Sequence, residues 1–287
     1  MATIWELDFY SRPVLDEKQK KLWEVLICET PLGPTSPTEA PFRYSKFTSN
    51  QEVNSIWLRD AIEEAIAGSP TRPEKIRFFR SQMNNMITKA CSELAIPASL
   101  SRRTYALNGW LQQRMEEVYP TCEGYQEGTN PSVRMMLPAP QALPDALIGE
   151  KWMFVSLEAS AFEEMSDWEI DFGESFPLEM MGLEPDTPVP GLIIYSSRAM
   201  PLAGWMSGLE LAFMKLDTNS KPKLILETGG SDRWILANLR DGATLTEAKK
   251  FEEAKQAAKQ VHFLAVQSNP DSESFAGFWL LQEIINN

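Results

Sequence analysis

The sequence is short of histidine, cysteine and long apolar runs, and each shortage removes a class of function. His262 is the only histidine and stands inside the apolar stretch Val261 to Val266. A multi-histidine metal centre is therefore excluded, and no histidine-based triad has a partner, so a partly buried structural imidazole is the expectation. Cys28, Cys91 and Cys122 are odd in number, widely spaced and form no CxxC pair. That pattern predicts reduced, mostly buried thiols, with Lys89 the one nearby cation that could activate a thiolate. No run of about 18 apolar residues is present to span a bilayer, and Met1 to Asp8 lacks a basic region followed by an apolar stretch. Neither membrane insertion nor a secretory signal is expected. The pair Gly229 and Gly230 lacks the surroundings of a phosphate loop and reads as a turn. No cofactor, metal site or catalytic residue is expected.

Positive charge is also scarce. There are 27 Lys and Arg against 40 Asp and Glu, a formal net charge of −13, which argues against coating nucleic acid through the overall field. The deficit is uneven: up to Glu150 there are 16 basic and 19 acidic residues, and beyond it 11 and 21. Between Arg72 and Arg114, eight cations (Arg72, Lys75, Arg77, Arg80, Lys89, Arg102, Arg103 and Arg114) face only Glu74 and Glu93.

What is abundant is apolar and aromatic surface: 43% hydrophobic residues, with 9 Trp and 14 Phe, enough to fold. At roughly 100 to 200 residues per domain, 287 residues predict two. Strands are expected at 5–12, 22–28 and 42–48, the last two separated by a loop that holds Pro31, Pro34, Pro37 and Pro41. A helix capped by Ser49 and Glu52 follows and ends at Gly68. Lys75 to Arg80 then reads as a strand, 83–94 as a helix, Leu100 to Tyr105 as a strand and 107–118 as a helix. The order βββαβαβα over residues 1–120 is ribonuclease-H-like: an antiparallel meander continued by parallel strands with crossover helices. Residues 121–150, rich in proline, are the expected linker.

Residues 151–287 read as a mixed α+β domain with an antiparallel meander. A strand at 152–157 and a helix near Phe162 to Ile170 precede a strand at 191–197. The meander runs over 209–216, 223–228 and 233–239. A helix capped by Thr244 and Glu247, then strands at 262–267 and 277–283, complete it. The fold class expected for the whole chain is α+β.

Alternation along Lys75 to Met83, KIRFFRSQM, would send Lys75, Arg77 and Phe79 to one face. Cations beside an aromatic suit phosphate pairing with base stacking, and Arg102 and Arg103 add to that reading. The alternative is that these arginines pair with acids such as Glu74 and Glu93. Arg198 and the pair Arg233 and Trp234 are open to the same two readings. The ribonuclease-H-like order also raises two-metal phosphodiester cleavage with Asp8 as first ligand. The end of the fourth strand offers Arg80, Ser81 and Gln82 instead of a carboxylate, so the set is incomplete.

The stretches WELDFYSRPVLDEKQKKLWEVLICE, PEKIRFFRSQMNNMITKACSELAI, PGLIIYSSRAMPLAGWMSGLELA, VHFLAVQ and FAGFWLLQE cover much of the chain. Together they resemble the Tab-two family of chloroplast and cyanobacterial translation factors for photosystems. The resemblance implies binding of single-stranded A/U-rich RNA in the 5′ untranslated region of a photosystem I core-subunit message. It also implies a functional role for a WLL tripeptide, which here is Trp279, Leu280 and Leu281; an apolar strand would ordinarily bury these three in the core. The first motif begins at Trp5, so no transit peptide is expected and the resemblance implies a cyanobacterial, cytoplasmic protein that would visit the thylakoid surface. The leading expectation is thus RNA binding through Lys75, Arg77, Phe79, Arg80, Arg102, Arg103, Arg198, Arg233, Trp234, Trp279, Leu280 and Leu281. The alternatives are a protein-binding scaffold for translation or photosystem assembly, and a metal-dependent nuclease.

Overall fold

The computed structural model describes residues 3–37, 40, 42–128, 138–219, 221–230 and 232–284. They form two compact units, one of residues 3–31, 40 and 42–128, the other of 32–37 and 138–284. Nine positions of the expected linker, 129–137, lie outside the described residues. Gly124 and Gln126 hydrogen-bond back to Leu15 and Pro13 in the first unit, and residues 138–150 belong to the second.

In the first unit, β1 (Ile4–Leu15), β2 (Lys21–Glu29) and β3 (Arg43–Thr48) form an antiparallel meander. Then come α1 (Ser55–Gly68), β4 (Lys75–Phe78), α2 (Asn84–Glu93), β5 (Ala98–Leu100) and α3 (Tyr105–Gln113). The element order is βββαβαβα as read from the sequence, and the strands lie β3-β2-β1-β4-β5 with β4 and β5 parallel to β1. Trp5, Leu7, Phe9, Val25, Ile27, Ile76 and Phe78 line one face, and they pack on Leu58, Ile62 and Ala65 of α1 and Ile87 and Ala90 of α2. Period-2 alternation places Glu6, Asp8 and Glu24 on the opposite face, and they are just as buried.

Two boundaries differ from expectation for local reasons. Helix α1 is capped by Asn54, whose Oδ1 accepts from the amides of Ile56 and Trp57 at 2.9 Å, while Ser49 and Glu52 bond to each other in a preceding 3-10 turn. Tyr105, expected to end a strand, instead begins α3. There Leu107 donates its amide to Glu6 Oε2 at 2.7 Å, so a carboxylate 101 residues away holds the helix N-terminus.

The second unit contains two sheets. One is β10-β11-β12-β6, from Leu211–Asp217, Lys223–Thr228, Arg233–Asn238 and Gln141–Ala142. The other is β7-β9-β13-β14-β8, from Lys151–Glu158, Pro188–Tyr195, Val261–Gln267, Phe275–Gln282 and Ile170–Glu174. Their core is completed by α4 (Ala199–Ser207) and α5 (Gly242–Ala257). The meander β10 to β12 appears as expected. The helix expected near 162–170 is a 3-10 run, Ala159–Asp167, followed by β8. Phe162 there points into an aromatic cluster with Phe263 and Phe278, which sets the chain direction more strongly than helical periodicity does. The cap of α5 is Asp241, which accepts from the Thr244 amide at 2.9 Å; Thr244 is inside the helix.

Candidate nucleic-acid interface

The expected surface of open guanidinium groups is a buried ion-pair layer. Asp8, 1% exposed in the middle of β1, binds Arg12 Nη1 through Oδ2 at 2.9 Å and Arg80 Nε through Oδ1 at 2.6 Å. One strand over, Glu24 accepts from Arg12 Nε at 3.1 Å, from Arg114 and from the Tyr119 hydroxyl at 2.5 Å. Burial alone would raise the Asp8 carboxyl, but the fields of Arg12 and Arg80 and their hydrogen bonds outweigh it and hold the pKa below the ordinary 3.8. Burial likewise pushes Tyr119 well above the usual phenol range, its proton held on Glu24. The Arg80 guanidinium also stacks over Tyr10, 4.1 Å from the ring centroid, and over Phe79 at 4.8 Å.

This corrects the reading of several candidates. Arg77, Arg80 and Arg103 are 3%, 4% and 3% exposed, so their guanidinium groups are turned away from solvent and do not present themselves to a phosphate in this conformation. The acids that neutralise Arg80 and Arg114 are Asp8 and Glu24 on distant strands, not Glu74 or Glu93. Lys75, Phe79 and Arg102 are half-buried. Asp8 is equally removed as a metal ligand, because two guanidinium groups already occupy its carboxylate oxygens. Among the described residues no group of three His, Cys, Asp or Glu is placed to hold a metal ion.

In the second unit the candidates are scattered. Arg198 is exposed and has no ion pair among the described residues. Arg233 donates from Nε to Glu227 at 2.8 Å and from Nη1 to the Pro138 carbonyl at 3.1 Å. Trp234 is half-buried edge-on to Trp205, with centroids 5.0 Å apart. Trp279, Leu280 and Leu281 are 4%, 0% and 0% exposed in β14, with Trp279 and Leu281 in the main core. Their side chains are core. Gly277 fits that packing, since a Cβ there would lie 2.4 Å from the Trp279 ring.

His262 is the structural residue its context implied. Its Nε2 accepts the Met214 amide at 2.8 Å, so Nδ1 carries the proton and donates to the Gln260 carbonyl at 2.9 Å. Burial, and then the nearby Lys255 charge, push its pKa down to about 3. Lys255 is itself fully buried and held by Glu252, Glu283 and the Met214 carbonyl.

Comparison with known proteins decides the family. The model of "RNA-binding protein Tab2/Atab2 N terminal" matches residues 4–114, and that of the Tab2/Atab2 C-terminal domain matches residues 130–282. The chain belongs to the Tab2/Atab2 family of RNA-binding proteins. It is 44% identical over 288 residues to "Protein TAB2 homolog, chloroplastic" of Arabidopsis thaliana, covering 98% of this chain and 74% of that protein. The Zea mays protein of the same name is 43% identical, with 98% and 71% covered. Among solved structures, a chain of a simian T-cell lymphotropic virus intasome in complex with PP2A regulatory subunit B56 gamma aligns at a TM-score of 0.27. That alignment has 17% identity over 41% of this chain and 38% of the other, and it carries no argument. No helix of the described residues is long and apolar enough to cross a membrane.

The layer's other members, Glu6, Arg12 and Glu24, were not singled out from the sequence. A signal was there: Glu6, Asp8 and Arg12 fall at even positions of a strand whose odd positions Trp5, Leu7 and Phe9 are core, and so share one face.

Proposed function

We propose that this protein binds single-stranded A/U-rich RNA in the 5′ untranslated region of photosystem reaction-centre messages and activates their translation. The observation that carries the reading is family membership across both halves of the chain, supported by the two chloroplastic relatives. The localisation that goes with it is cytoplasmic, with visits to the thylakoid surface. Among the residues first considered, Lys75, Phe79, Arg102, Arg198, Arg233 and Trp234 keep some exposure through which RNA could be met. Crosslinking in cells and sequencing of the bound RNA tests partner class and target together: photosystem leader sequences should be enriched, and recovery of no specific RNA contradicts the proposal.

A second reading, a protein-binding scaffold for photosystem assembly, is favoured by one feature. The second unit, most of it the acidic half of the chain, exposes Ile148, Met153 and Met200 at 53%, 47% and 48%. Partners that remain on the protein after nuclease treatment would support it, and loss of every partner on that treatment would count against it.

A further inference from the structure

The second unit holds an open groove of about 830 Å³ between the start of β7, the outer edge of β12 and the first turn of α5. Small-molecule and cofactor sites occupy roughly 300–1,000 Å³, so the space is adequate for a nucleotide. Its lining includes Trp152, which is half-buried and packs on the domain core beside Phe154, together with Ile148, Leu236, Lys151, Asn238 and Arg240.

Three further observations give the groove a chemistry. The first concerns the edge of β12. Strand β6 pairs only with Trp234 and Ile235, so from Leu236 to Asn238 that edge has no strand neighbour among the described residues, and its backbone groups are available to a polar ligand edge. The second is charge. Arg240 is exposed and makes no ion pair among the described residues, and Lys151, also exposed, lines the same groove. The third is the state of the acids. Glu150 and Glu247 also line the groove; the Glu150 carboxylate accepts from the amide and hydroxyl of Ser197, which lowers its pKa and keeps it charged, so the groove carries carboxylates as well as cations. Arg198, also exposed, follows Ser197 in the chain but is not part of the groove lining.

We propose that this groove seats single-stranded RNA on the second domain. One base lies against Trp152, and flanking phosphates lie on Lys151 and Arg240. A flat ring beside exposed cations is what sequence-tolerant single-strand binding uses, and unpaired strand edges offer hydrogen bonds to base edges. An extended peptide could pair with the same β12 edge, but it would make no use of the two exposed cations of the lining in a half of the chain with 21 acidic and 11 basic residues. The proposal rests on the RNA-binding reading above and supplies the place where that binding occurs.

The test uses the intact chain and a uridine-rich single-stranded oligoribonucleotide carrying thiouridine. Photocrosslinking followed by peptide mass spectrometry should label the peptides that contain Trp152 and residues 235–240. Lys151→Glu and Arg240→Glu, both at exposed positions, should leave unfolding unchanged, weaken binding, and each reduce the slope of log affinity against log salt by about 1. Trp152→Ala should weaken binding by roughly tenfold or more, and Trp152→Phe should retain most of it, which separates stacking from loss of fold. If the wild type binds the oligonucleotide but crosslinks map elsewhere and the Lys151→Glu, Arg240→Glu double variant binds as well as wild type, the groove is overturned and the RNA reading stands. If the folded wild type does not bind the oligonucleotide at low salt, both fall.

Discussion

Replacing Asp8 by Asn keeps the shape of the side chain and removes one charge, which leaves Arg12 and Arg80 facing each other across a carboxamide inside the first domain. Both guanidinium groups now lie within 2.9 Å of Asp8 oxygens, and Asp8 and Arg12 have no side-chain exposure. Removing one member of a buried pair costs about 3–5 kcal/mol, because the partners stay desolvated and unneutralised. For a domain of this size about 1 kcal/mol moves the melting temperature by roughly 3–4 °C, so the first domain should melt roughly 10–20 °C lower. Thermal unfolding of the full chain, followed by near-ultraviolet circular dichroism, reads this directly. Adding Arg80→Met should return part of the loss, a coupling that a double-mutant cycle isolates. A shift below about 1 kcal/mol for Asp8→Asn, or strict additivity with Arg80→Met, would refute the ion-pair layer as a stabilising element. The pH dependence has a definite sign. Because the folded Asp8 pKa is depressed, its contribution is intact above the ordinary 3.8 and is lost as pH falls through the lower folded value.

Other outcomes follow from the same geometry. Alanine at Arg77, Arg80, Arg102 and Arg103 together should unfold the first domain, so lost RNA binding in that variant should coincide with lost ellipticity. His262, with a folded pKa of about 3 against an ordinary 6.5, should cost the second domain about 1.4 kcal/mol per pH unit as pH falls through that interval. Denaturant titrations at several pH values should show that slope, and His262→Gln should flatten it. Trp279→Ala should cost about 3–5 kcal/mol, while Trp279→Phe should preserve more of the fold. RNA affinity that falls in the alanine variant while its stability is unchanged would show the indole to be a contact and not core.

Much of the architecture was legible because each element carries its own period. Trp5, Leu7 and Phe9 alternate, and Leu58, Ile62 and Ala65 recur at helical spacing, so the first unit's order of strands and helices could be written down. Boundaries set by distant partners could not. Tyr105 begins α3 where Glu6, 101 positions before Leu107, accepts the Leu107 amide, and no local pattern announces that contact. The 3-10 run at Ala159–Asp167 is of the same kind, since Phe162 answers to Phe263 and Phe278.

The candidate site was less legible because a run of cations has two physical destinations. Arg77, Arg80 and Arg103 read as a basic surface because few acids lie near them in the chain. Asp8 and Glu24, the acids that neutralise Arg80 and Arg114, come from strands far earlier in the chain. Lys151, Trp152 and Arg240 are separated by up to 89 positions and carry no shared motif, so only the adjacency of β7 and β12 around one groove brings them together.

The central claim is that this acidic chain binds RNA through local cations. Titration of the intact protein against an A/U-rich single-stranded oligoribonucleotide at a series of salt concentrations tests it most directly. The account predicts saturable binding whose log affinity falls linearly with log salt, and a slope that shrinks in Arg240→Glu. Absence of binding at low salt by a cooperatively folded sample would contradict it.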